Sequence, residues 1–155
     1  MASAFANAAP VKYADIGTVN PDSYTFTAKS TGLLKAYFAG STALFTNTLG
    51  LLVNGVESEI KGLNTKTAKY GDVLNFGSVN EGDTLVFKIN ITNDRGKQSE
   101  VFSDPLMNSD GLNHVFSNLY AGDNKIPAGT YVAFEDKVVN SNWNYFDLNF
   151  AFTNV

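Results

Sequence analysis

The sequence predicts an all-β protein: an antiparallel β-sandwich or jelly roll with no long helices. Two observations carry this. Apolar residues recur with period two in short runs, and turn signals separate those runs roughly every ten residues. Nowhere does an apolar period of about 3.6 persist long enough for an extended helix. With 155 residues and 44% hydrophobic content, the chain can bury one core of ordinary size. We therefore expect one sandwich domain over residues 11–155, preceded by an N-terminal tail, 1–10.

The elements follow in order. Residues 12–16 form a short strand candidate, closed by Gly17 and the Asn20-Pro21-Asp22 turn. Residues 24–28 alternate aromatic and hydroxyl side chains, as a half-buried strand does. Gly32 opens a strand over 33–39 that Gly40-Ser41 closes, and 41–47 is weakly patterned. Residues 49–53 are apolar and run into Asn54-Gly55, the strongest short hairpin signal, so 56–60 should pair back. A polar loop (61–71) leads to a short strand over 73–76. The clearest strand of the first half is 84–92, where Leu85, Phe87, Ile89 and Ile91 share one face. A turn at 93–96 leads to a returning strand near 100–102. The Asn108–Gly111 turn feeds 113–116, and a loop at 121–129 precedes the C-terminal hairpin. In that hairpin Phe146, Leu148, Phe150 and Phe152 point to one face, and Tyr145, Asp147, Asn149 and Ala151 to the other.

Composition excludes several functions. Net charge is −4 and only 17% of residues are charged, which argues against a phosphate-neutralising patch for nucleic acid. Without cysteine there is no disulfide, thiolate metal site or Cys nucleophile. No apolar run reaches the roughly 20 residues that span a bilayer. The alanine-rich start, with Ala4-Phe5-Ala6 in a small-x-small pattern, reads as a signal-peptide remnant or an assembly arm, and it points to export.

Catalysis is poorly supported. The sole histidine, His114, has Ser109, Asp110 and Ser117 nearby, but no nucleophile elbow is present and strand neighbours face opposite ways. We read it as a structural, hydrogen-bonding residue and the protein as not an enzyme. Glu135 and Asp136 are adjacent, which is not the geometry of a glycosidase pair. The C-terminal hairpin instead gathers oxygen: two carboxylates at a strand end, then a loop (140–144) rich in amides. Such a cluster suits a hard cation such as calcium, and equally a polar loop that only caps two strands. Trp143, Tyr145 and the nearby Asn residues could also stack on and hydrogen-bond a glycan.

The residues 129–136, Gly-Thr-Tyr-Val-Ala-Phe-Glu-Asp, followed by Asn142-Trp143-Asn144-Tyr145-Phe146-Asp147, form a nameable pattern. It resembles a domain of bacterial exported proteins, common in those with PEP-CTERM sorting signals, which carries Phe-Glu-Asp and then Asp-x-Asp-Tyr-Asn-Asp. Residues 109–115 look like the segment before that family's hairpin. The resemblance implies a secreted β-sandwich that binds calcium. This chain keeps Glu135, Asp136 and Asp147, but has Asn142 and Asn144 where the family has Asp, and Phe146 where it has Asn. Each Asp-to-Asn change keeps one ligating oxygen and removes a charge, so a weak site is expected.

The expected calcium ligands are Asp110, Glu135, Asp136, Asn142, Asn144 and Asp147, with Asp110 brought near by the preceding strand. The expected function is a secreted or surface structural and interaction module of the bacterial extracellular matrix, a self-assembling filament or matrix subunit. The alternative is a calcium-dependent carbohydrate-binding module. Expected partners are further copies of the chain, or glycans.

Overall fold

A computed structural model describes residues 12–137 and 142–155. Two five-stranded antiparallel sheets pack as a sandwich, with one 3-10 turn at Pro105–Met107 and no α-helix among the described residues. None of it is a helix long and apolar enough to cross a membrane.

The first sheet holds β1 (Phe26–Thr27), β6 (Thr84–Thr92), β3 (Thr46–Val53) and β4 (Val56–Glu57) in that order, with β7 (Gln98–Phe102) also paired to β6. The second runs β5 (Val73–Val79), β2 (Gly32–Ser41), β10 (Leu148–Thr153), β9 (Gly129–Phe134), β8 (Val115–Tyr120). The core between them has the predicted stripe of Leu85, Phe87, Ile89 and Ile91 on one side, and Leu148, Phe150 and Phe152 on the other. Phe87 and Phe152 stack at 3.9 Å and join the sheets ring to ring.

The Asn54-Gly55 hairpin forms as expected. Both residues have positive φ, 50° and 82°, which a tight two-residue turn needs. Its return strand is shorter than 56–60: the Ser58 N–H makes a last bond to the Leu51 carbonyl, the chain then leaves the ladder, and Gly62 comes back to bond Leu49.

Three further expectations need correction. Residues 12–16 are not a strand: Thr18 N–H donates to the Asp15 carbonyl in a turn, and Tyr13 is held by its ring against Tyr145. The 24–28 strand is reduced to Phe26–Thr27. Extending it would require the edge of Phe87, which Ser103 already occupies through its N–H and its hydroxyl. Phe146 does not join the core stripe. β10 begins at Leu148, and Tyr145 at φ 52° breaks the alternation just before it. The Phe146 ring instead lies under the Lys12 ammonium at 4.7 Å. The tail at 1–10 lies outside the described residues.

β9 and β10 are buried on both faces. Their outward residues Tyr131, Ala133 and Ala151 form a second cluster with Tyr120 and Ile126. The strands β9 and β10 are thus among the best-buried of the described residues, and they hold the carboxylates at the hairpin mouth in place.

Candidate functional site

The ladder between β9 and β10 ends at the Leu148–Phe134 pair. Beyond it the two arms carry Glu135-Asp136 and Asp147 face to face. The Asp136 N–H donates to Asp147 Oδ2 at 3.0 Å, and the Asp147 N–H to the Phe134 carbonyl at 3.1 Å. The Asp147 carbonyl accepts from the Ser41 hydroxyl (2.6 Å) and from the N–H groups of Thr42 and Ala43. The loop after β2 is thereby fixed beside the hairpin mouth.

Glu135 is almost wholly buried. Its Oε1 accepts the N–H groups of Asn144 and Tyr145, each at 3.1 Å. Trp143 and Tyr145 both have positive φ, 47° and 52°, a conformation side chains seldom adopt unless their surroundings enforce it. Aromatic packing does so here. The Tyr145 hydroxyl donates to the Asn113 carbonyl and accepts the Asn20 N–H, while Tyr13 meets its ring edge-on at 4.6 Å. Trp143 is half-buried, with its ring 5.0 Å from that of His114.

These elements enclose a polar pocket of about 210 Å³ whose lining includes Glu135, Asp136, Lys137, Asn142, Asn144 and Asp147. Five of the six expected ligands therefore share one site. Asp110 does not line it. Its Oδ2 lies 2.7 Å from His114 Nε2, and His114 Nδ1 lies 2.9 Å from the Glu135 carbonyl oxygen. Asp110 thus braces the Glu135 backbone from behind, through the imidazole. Both ring nitrogens face oxygens, and because the Glu135 carbonyl can only accept, Nδ1–H is the donor in that contact.

Among the described residues only Lys137 brings positive charge to these carboxyls, and it offsets a small part of the rise in pKa at Asp136. Burial pushes Asp136 up to about 6; the neighbouring Asp147 charge adds to the rise and the Asn47 amide offsets part of it. Burial likewise pushes Asp147 up to about 6, helped by the Glu135 charge and opposed by the Asp136 N–H. Desolvation and like charges both disfavour the ionised forms.

Asn47 is a site residue the sequence reading missed. It is fully buried in β3 and donates Nδ2 to Asp136 Oδ2 at 2.9 Å. Its Oδ1 has no hydrogen-bond partner among the described residues. One signal was present: Asn47 is in phase with Leu49 and Leu51, so a polar amide stands where the period demands a core residue.

Calcium fits the donor chemistry but not the side-chain arrangement as it stands. The oxygens of three carboxylates and nearby amides are the hard donors the ion prefers. Yet among the described residues no group of three or more His, Cys, Asp and Glu side chains is set to hold a metal ion. Loading would require these side chains to turn towards a common point.

Comparison of the chain with protein-family models, curated proteins and solved structures finds no match. What is established is a β-sandwich of two antiparallel sheets, with no family identified.

Proposed function

We propose that this protein is a non-catalytic interaction module of the bacterial cell exterior, and that its hairpin-mouth pocket takes a calcium ion. The observation that carries the reading is the gathering of Glu135, Asp136 and Asp147 at one pocket, with Lys137 the single basic residue of its lining among the described residues. Above about pH 6 Asp136 and Asp147 lose their protons, and a divalent cation would relieve the repulsion between them. Asn142 and Asn144 add neutral oxygens. The sole histidine has both ring nitrogens in structural hydrogen bonds, which supports the non-catalytic part. The resemblance of residues 129–147 to a motif of exported domains supports the exterior location.

Titration calorimetry with calcium chloride tests this. Binding is expected in the weak extracellular range, with a dissociation constant of roughly 10⁻⁴–10⁻³ M. Asp147→Ala should remove the heat, and magnesium should give less, because it demands a stricter octahedron. Equal absence of heat for the wild type and Asp147→Ala would contradict the proposal.

A further inference from the structure

Each sheet edge presents a row of backbone groups that invites another strand, and natural sheets usually block them. Most edges here are blocked by identifiable devices. The free side of β3 is covered where Ser58 and Thr65 donate to the carbonyls of Leu51 and Asn47, and where Gly62 pairs with Leu49. On β7 the Asn108 amide mimics a strand, accepting the Phe102 N–H at 2.7 Å and donating to its carbonyl at 3.0 Å. That strand also carries Glu100, and Lys97 and Arg95 precede it. On β8 the Val115 N–H is capped by Asn113 Oδ1, its carbonyl by Asn20 Nδ2, and the Leu119 N–H by Asn118 Oδ1.

β5 is different. Its sequence, VLNFGSV, contains no charge and no proline. Its one side-chain cap among the described residues is Asn75 Oδ1 on the Gly77 N–H, at the register shift that accommodates a bulge. Beside this edge the outer face is mixed: Val73 is 52% exposed, Leu33 49% and Tyr70 43%, with Asn75 and Ser78 on β5 and Lys35 opposite Asn75 on the same face.

We propose that the free edge of β5 is a self-association surface, and that its occupant is β5 of a second copy of this chain. An uncharged strand can lie antiparallel against itself without like-charge repulsion. Two-fold pairing also closes on itself and leaves no new open end at that edge. The contact joins two sheets into one continuous sheet of ten strands and covers the Val73 side chain at the β5 edge. It goes beyond the calcium proposal and does not depend on it.

The test uses the full chain in chelator, so the pocket plays no part. Sedimentation velocity over roughly 1 µM to 1 mM should show a monomer–dimer equilibrium that Val73→Lys shifts to monomer. Because the chain has no cysteine, Asn75→Cys and Leu119→Cys each introduce a single thiol. Under mild oxidation Asn75→Cys, near the middle of β5, should form a covalent dimer faster than Leu119→Cys, which leaves the asparagine caps of the β8 edge in place. This second readout also decides the matter should Val73→Lys fail to fold. A wild type that stays monomeric throughout, a dimer that survives Val73→Lys, or equal cross-linking at both positions would overturn the proposal.

Discussion

Phe150→Ala is expected to lower the unfolding free energy by about 3–5 kcal/mol, the usual cost of truncating a buried aromatic ring. Phe150 has no exposed surface and lies on β10, the middle strand of its sheet. Its ring meets Phe38 at 6.0 Å and Phe134 at 6.2 Å, both edge-on, with Phe152 alongside. These neighbours sit on β2 and β9, which are laddered to β10 on either side. Backbone held on both flanks cannot collapse into the cavity, so the upper half of the range is expected. Denaturant unfolding measures it. A loss under about 1 kcal/mol would place this stripe outside the core.

Gly129→Ala is expected to cost about 3 kcal/mol, although it adds only one methyl group. A Cβ at Gly129 would stand 2.2 Å from the Phe152 carbonyl oxygen and 3.0 Å from its carbon. The obstacle is backbone, not a flexible side-chain end. Moving that backbone would pull Phe152 away from Phe87, on which it stacks. Elsewhere a Gly-to-Ala change gains stability by restricting the unfolded chain, but by less than about 1 kcal/mol. The steric term therefore decides the sign. The melting temperature should fall by roughly 10 °C for a chain of this size. An unchanged melt would mean that β9 and β10 separate at this end more easily than their pairing implies.

Much of the fold was legible because period two reports one buried face. It marked Leu85, Phe87, Ile89 and Ile91 as core, and Asn54-Gly55 as a hairpin. What local pattern could not show was competition for strand edges. Residues 24–25 alternate well, yet Ser103, almost eighty positions on, holds the Phe87 backbone they would need. Phe146 fits the apolar stripe by spacing alone, but two left-handed residues before it take the chain out of the extended state. In the site, Glu135, Asp136 and Asp147 were readable as carboxylates flanking one hairpin loop. Asp110 was misplaced because its His114 contact runs behind the Glu135 backbone. Asn47 belongs to the opposite sheet, a proximity that only tertiary packing creates.

Thermal melts of the wild type and Asp147→Asn test most directly whether the hairpin-mouth carboxyls are held at a cost that a cation removes. Asp136 and Asp147 titrate near 6 in the folded protein against an ordinary value of 3.8. The folded state therefore holds its protons more tightly than the unfolded state. Their contribution favours folding at low pH and is lost as pH rises through about 6. Because pH 5 lies only about one unit below that value, the loss above pH 5 is on the order of 1–2 kcal/mol. In chelator, the wild type should thus lose stability between pH 5 and pH 7.5 relative to Asp147→Asn. At pH 7.5, about 10 mM calcium should restore roughly 1.4–2.7 kcal/mol to the wild type, given the affinity expected above. Asp147→Asn should respond far less. Superimposable wild-type melts at pH 7.5 with calcium and with chelator would contradict the account and leave the pocket as the polar cap of a hairpin.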